Sequence, residues 1–221
     1  MYLTKTPFLF YKIYRPWDLW CIESENNDIY LTFDDGPVPE VTPWVLDQLD
    51  MYNAKATFFC VGDNVCRNHE IFSEIKRRGH TVGNHTFNHV NGWKSNFYNY
   101  LFNVKKCNKY FTTSLFRPPY GKMSLVQRHL LKKHYKLIYW TVISGDFDPT
   151  IAPETCLEKT ISSTEKGSIV VFHDSIKARK NLVVALPAFL KHFHNKGYNF
   201  KAIPYDFHES NKLAPAINTA S

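Results

Sequence analysis

Two adjacent carboxylates, Asp34 and Asp35, close an alternating apolar and polar run and are followed at once by Gly36 and Pro37. Alternation reads as a strand, and Gly-Pro ends it. Neighbouring acids resist joint ionisation. A metal ion or an arginine beside them removes that penalty. His85 and His89 stand four residues apart. On a helical turn they share a face and can hold one ion. With a carboxylate from the first strand they make a set of two histidines and one acid, which leaves positions open for water and substrate. Adjacent side chains diverge, so one of the two aspartates can bind the ion while the other faces a reacting water. Arg117 suits the second of them, because a guanidinium keeps a carboxylate ionised. His173 ends the apolar run Ile-Val-Val-Phe, where a histidine suits general-acid work near neutral pH. Taken singly, each has a bland reading: an acidic turn, a structural histidine pair, a strand-end arginine, a core histidine.

Such residues need a scaffold that gathers them. β-Forming runs fall at residues 29–33, 56–61, 81–84, 115–117, 137–143, 168–172 and about 199–203. Helical segments separate them. Thr42 reads as an N-cap with Pro43 in the first turn, for a helix to about residue 52. Others are expected at 69–78, stopped by Gly79, at 95–111 capped by Ser95, at 124–134, and at 153–163. The last, at 182–196, contains Pro187 and should bend or begin late there. Strands alternating with helices imply a parallel sheet, either a barrel or a doubly wound sheet. No Gly-x-Gly-x-x-Gly loop follows the first strand, which speaks against a dinucleotide fold. The chemistry-bearing residues fall just after strands, and in parallel barrels that end is the catalytic face.

The bulk composition narrows the field. A chain of 221 residues, 44% hydrophobic and 21% charged, fits one globular domain. The expected division is an aromatic-rich lead at 1–28 packed on the domain, the domain proper at 29–206, and a tail at 207–221. The net charge is +7, but the lysines and arginines are scattered, which argues against a nucleic-acid partner. The five cysteines are odd in number and lack Cys-x-x-Cys spacing, so free thiols are expected. No transmembrane span is expected. No apolar leader of signal-peptide length is seen, so a cytoplasmic location is expected, with envelope association as the alternative. The oligomeric state is left open.

Five ordered motifs then carry a resemblance. Residues 32–37 (Thr-Phe-Asp-Asp-Gly-Pro), 85–89 (His-Thr-Phe-Asn-His), 117–121 (Arg-Pro-Pro-Tyr-Gly), 140–148 and 171–173 (Val-Phe-His) resemble, in that order, the motifs of the polysaccharide deacetylases, the nodulation-type carbohydrate esterases. The resemblance covers residues 29–203. It implies an α/β fold, a distorted seven-stranded (β/α) barrel. It implies one divalent metal held at Asp35, His85 and His89, zinc first, with cobalt, nickel, iron or manganese as alternatives. It places Asp34 as general base and His173 as general acid, and the Tyr120 backbone N–H as an oxyanion donor. Tyr120 and Pro119 are the candidate substrate-binding residues. The implied substrates are N-acetylated, sometimes O-acetylated, sugars.

The fourth motif departs from the pattern. Ile143 stands where the family often has the acid that pairs with the third-motif arginine, and Phe147 where it often has tryptophan; Val171 replaces the usual leucine in the fifth. Asp146 is the nearest acid past the same strand, and is expected to partner Arg117 or otherwise support the base. The resulting reading is a metal-dependent hydrolase that removes acetyl groups from an amino-sugar polymer or oligomer. Its rivals are a catalytically weak sugar binder of the same fold, suggested by Ile143, and a glycoside hydrolase, which would need two carboxylates flanking a bond and neither His85 nor His89.

Overall fold

The computed structural model describes residues 3–7 and 18–205. Its strands are β1 (Asp28–Asp34), β2 (Thr57–Cys60), β3 (Thr81–Asn84), β4 (Leu115–Phe116), β5 (Lys136–Leu137), β6 (Val142–Ile143), β7 (Ile169–His173) and β8 (Asn199–Lys201). All of these strands pair in parallel, in the order β5-β4-β3-β2-β1-β7-β6, with β8 joined to β1. β1 lies at the centre and is buried along its whole length. Its last residues pair with β2 and its first with β8, while β7 runs along the other edge. Continuous burial on both faces explains the apolar character of β1, β2 and β7.

The strand expected at 137–143 is two strands, β5 and β6, at opposite ends of the order. Residues 138–141 join them, so the sheet curls and a four-residue connection links its two ends. Their backbone serves other partners: Ile138 and Tyr139 carbonyls accept from the Arg117 guanidinium, and the Tyr139 N–H donates to Leu19. A buried arginine has thus claimed the groups that would have continued a ladder. The result is a distorted (β/α) barrel rather than a doubly wound sheet.

Phe33, Phe58 and Phe172 fill the centre, with Phe33 stacked on Phe58 at 5.1 Å and on Phe172 at 6.1 Å. Each such burial contributes on the order of 1.5–3 kcal/mol. The helices are α1 (Thr42–Asp50), α2 (Gly62–Arg67), α3 (His69–Arg77), α4 (Phe97–Lys106), α5 (Leu125–Leu131), α6 (Pro153–Ser163) and α7 (Arg179–Asn195). Three starts differ from expectation. Val41, not Thr42, precedes α1, because the Thr42 hydroxyl accepts from the Val38 N–H and donates to Asp174. Asn96, not Ser95, caps α4 by accepting from the Asn99 N–H. α7 begins at Arg179 and runs through Pro187. Proline removes the bond to the Val183 carbonyl, and Val183 is 41% exposed, so water can take its place. Helix α5 has the expected start, with Ser124 and Gln127 forming a capping box.

Of the lead, Leu19 bridges Ile138, Cys21 bridges Ser168, and the Trp20 ring stacks on Tyr139 at 4.3 Å. The remainder, residues 1–2 and 8–17, lies outside the described residues, as does the tail. None of the five cysteines, all among the described residues, is in a disulfide. Among the described residues no helix is long and apolar enough to cross a membrane.

Candidate functional site

β1 delivers Asp34 as its last residue, and the chain turns there. Asp35 has φ 87°, a conformation that favours glycine, so the turn holds its side chain where an ordinary strand would not. Asp174 anchors this turn: its carboxylate accepts from the Gly36 N–H at 3.0 Å and from the Thr42 hydroxyl at 2.7 Å. A Cβ on Gly36 would sit 1.9 Å from Asp174 Oδ2, so only glycine fits. Burial pushes the Asp174 carboxyl up to about 8 despite those hydrogen bonds. The sequence placed Asp174 at a strand end without a role; its adjacency to His173 was the only signal.

His85 and His89 do not share a helical face. They sit in the loop after β3, where Thr86 and His89 have φ 63° and 52°. Side chains shape this loop: the Asn84 side-chain amide oxygen accepts from the Thr86 N–H, the Thr86 hydroxyl oxygen from the Val90 N–H, and the Asn103 side-chain amide oxygen from the Phe87 and Asn88 N–H groups. The bends converge the rings to 5.1 Å between centroids. His85 is buried, and burial lowers it to about 4, with the nearby Asp34 and Asp35 opposing. It is therefore neutral at pH 7. Its Nδ1 lies 2.8 Å from the Arg117 carbonyl, which an N–H must meet, so Nε2 is left with a lone pair toward the site.

Asp35 Oδ1 lies 3.2 Å from His89 Nε2 and 3.9 Å from His85 Nε2. Donor atoms of the three residues fall within 4.8 Å of one another. Oδ1 is buried and has no hydrogen-bond partner of adequate geometry. Burial acts against the Asp35 charge, but His89, His173 and His85 outweigh it and hold the carboxyl far below its usual range. Tetrahedral donors about 2.0–2.2 Å from zinc stand roughly 3.4 Å apart, so these separations suit a divalent cation.

Arg117 is fully buried. Its Nη1 donates to Asp34 Oδ1 and to the Thr32 hydroxyl, both at 2.7 Å, Nη2 to the Tyr139 carbonyl at 3.1 Å and Nε to Ile138 at 3.4 Å. The guanidinium lies 4.1 Å from the Phe59 ring. Backbone carbonyls thus take the place of the acid absent at Ile143. Asp146 is not the arginine's partner. Its Oδ1 lies 2.8 Å from His173 Nδ1 and its Oδ2 accepts the His173 N–H at 2.7 Å. Four of the five Arg117 N–H groups already meet acceptors, whereas the His173 backbone and ring offer Asp146 two groups at once. Removing one member of a buried ion pair costs about 3–5 kcal/mol. Arg117→Met is expected to lower the unfolding free energy by that amount in urea titration. A loss under about 1 kcal/mol would mean that Asp34 finds other support.

Burial disfavours the His173 cation, but Asp146, through charge and hydrogen bond, and then Asp35 and Asp34, overcome this and raise it to about 9. With Nδ1 on Asp146, Nε2 is presented to the cavity. The Phe147 ring stands edge-on to His173 at 5.0 Å. The cavity, of about 670 Å³, is lined by Asp34, Asp35, His85, His89, Tyr120, Trp140, Ile143, Phe147 and His173, with Leu3, Lys122 and Lys177 completing it. Arg117 and Asp146 stand behind this lining. Pro119 is buried and does not line it, whereas Tyr120 does, at 59% exposure and φ 61°. Pro118 and Pro119 have no N–H, so Tyr120 is the first residue after Arg117 able to donate one.

Over residues 22–136 the chain matches the polysaccharide deacetylase family. A peptidoglycan-N-acetylglucosamine deacetylase of Bacillus cereus is 32% identical over 191 residues, covering 83% of this chain and 90% of that protein. A chitooligosaccharide deacetylase of Azorhizobium caulinodans is 32% identical over 164 residues, covering 69% and 76%. The crystal structure of the Bc1960 peptidoglycan N-acetylglucosamine deacetylase superposes with a TM-score of 0.79 at 28% identity, over 90% of this chain and 95% of that one. With the Asp-Asp turn, the His85–His89 loop and the buried Arg117 in their family order, the chain belongs to the polysaccharide deacetylase family.

Proposed function

We propose that this protein is a carbohydrate deacetylase that hydrolyses the N-acetyl group of an amino sugar within a polymer or oligomer, releasing acetate and a free amine. The observation that carries the reading is the convergence, on one cavity, of the Asp35, His85 and His89 donors with an arginine-held Asp34 and an Asp146-held His173. Asp35, His85 and His89 would hold one divalent ion, zinc before cobalt, nickel, iron or manganese. When bound, such an ion polarises the acetyl carbonyl and makes water acidic enough to attack near neutral pH.

The protein's own groups then handle the protons. Asp34, held by Arg117 at 2.7 Å, accepts the proton of the attacking water as the C–O bond forms. The Tyr120 N–H faces the developing oxyanion. His173 gives its Nε2 proton to the sugar nitrogen as the C–N bond breaks. Asp146 fixes the His173 tautomer and favours its charged form. The Asp34–Arg117 contact of 2.7 Å argues against the weak-binder alternative, since the absence of an acid at Ile143 leaves that pair intact.

Acetate release from N-acetylglucosamine oligomers, peptidoglycan, acetylated xylan and small acetylated amides, before and after chelation and with each metal restored, tests the reading. Release from no acetylated sugar would defeat it. A pH profile tests the acid. A group raised to about 9 is protonated below that pH and loses its proton above it, so activity should fall on the alkaline side. Asp146→Asn removes the principal charge that raises His173, so the alkaline limb should move down by at least about one pH unit, with metal content unchanged. An unmoved limb would take the acid role from His173.

A further inference from the structure

We propose that Lys122 and Lys177 make the cavity mouth selective for a glycan that carries a carboxylate on the sugar next to the one deacetylated. This rests on the deacetylase reading and narrows its substrate class. Both lysines line the cavity, from different loops: Lys122 follows β4, and Lys177 lies between β7 and α7. Each ammonium sits over an aromatic ring, Lys122 5.1 Å from Trp93 and Lys177 5.6 Å from Phe147. Such contacts hold a long side chain in place without neutralising it.

The Lys122 arm is built rather than incidental. The Gly92 N–H donates to the Lys122 carbonyl at 3.1 Å, and the Trp93 indole N–H to the Met123 carbonyl at 3.1 Å. The indole is thereby fixed while remaining 68% exposed. Tyr120, 59% exposed, stands two residues before Lys122 and edge-on to His89 at 4.7 Å between ring centroids. A sugar chain leaving the candidate metal centre can therefore cross Tyr120 toward Trp93, with aromatic faces for its apolar sides.

Charge decides between neutral and acidic chains. Among the described residues neither ammonium lies within ion-pair distance of a carboxylate. Asp148 is held low first by the Thr150 hydroxyl and N–H, and more weakly by Lys177, and its oxygen is engaged by Thr150. Within the cavity Asp34 is paired with Arg117, and Asp35 belongs to the candidate metal set. The mouth is left with two positive groups, which complement a carboxylate and add nothing for a neutral chain.

The test compares two tetrasaccharides that differ only at the lactyl carboxyl. One alternates N-acetylglucosamine with N-acetylmuramic acid, whose lactyl group ends in a carboxylate; in the other those carboxylates are methylamides. For wild-type protein, kcat/KM should favour the carboxylate form, by about two- to fivefold for each lysine engaged. The preference should shrink as salt rises. In the double variant Lys122→Gln, Lys177→Gln the ratio should approach one. A wild-type ratio near one, or a ratio unchanged in the double variant, overturns the assignment while leaving the deacetylase intact. Acetate from neither glycan, nor from neutral N-acetylglucosamine oligomers, would instead defeat the deacetylase reading itself.

Discussion

Asp34→Asn is expected to lower turnover about 10²–10⁴-fold, the usual loss when a positioned base is removed, with metal content unchanged. The reasons are geometric. Asp34 Oδ1 is bound by Arg117 at 2.7 Å, and its Oδ2 lies 3.9 Å from His85 Nε2, so the carboxylate borders the donor cluster without completing it. Asparagine keeps an oxygen for Arg117 but cannot accept a proton. Turnover and metal content, measured on the same preparation, separate the roles. If Asp34→Asn loses its metal while Asp35→Asn retains it, the two aspartates exchange parts. If both retain metal and full turnover, neither is the base.

His89→Gly should abolish both metal binding and acetate release. Three donors are near the minimum for a tightly held catalytic ion, and His89 Nε2 is the one closest to Asp35, at 3.2 Å. Glycine is the right replacement because His89 has φ 52°, which alanine would adopt only under strain. The cut therefore removes the imidazole and spares the loop. His85→Ala should give the same loss of metal, though it also opens a space in the interior, since His85 is only 2% exposed. Elemental analysis after dialysis should find about one divalent ion per wild-type chain and a small fraction of that in either variant. Equal metal content in all three would remove these residues from the site.

How far the sequence alone reaches depends on the range of the interactions involved. The alternation of β1, the uninterrupted apolar run of β7, the capping box of α5 and the Pro153 start of α6 are local, set by side chains within a few residues. So is the placement of acids and histidines just beyond strands, because a strand's polar end follows directly from where its apolar run stops. The grouping of Asp35, His85 and His89 was legible through residue type and motif order. What the sequence could not decide were choices among distant partners. Asp146 could have turned to Arg117 or to His173, and only the path of residues 138–141 settled it, by supplying Arg117 with the Ile138 and Tyr139 carbonyls and leaving Asp146 for His173. The same path split one expected strand into β5 and β6. His85 and His89 meet through left-handed turns stabilised by Asn84 and Asn103, which spacing alone reads as a helical turn. Thr42 left its capping position because Asp174, far away in sequence, offered its hydroxyl a buried carboxylate. For Asp146 and Thr42 a buried hydrogen-bonding group had more than one option, and pairing in the interior favoured the partner distant in sequence.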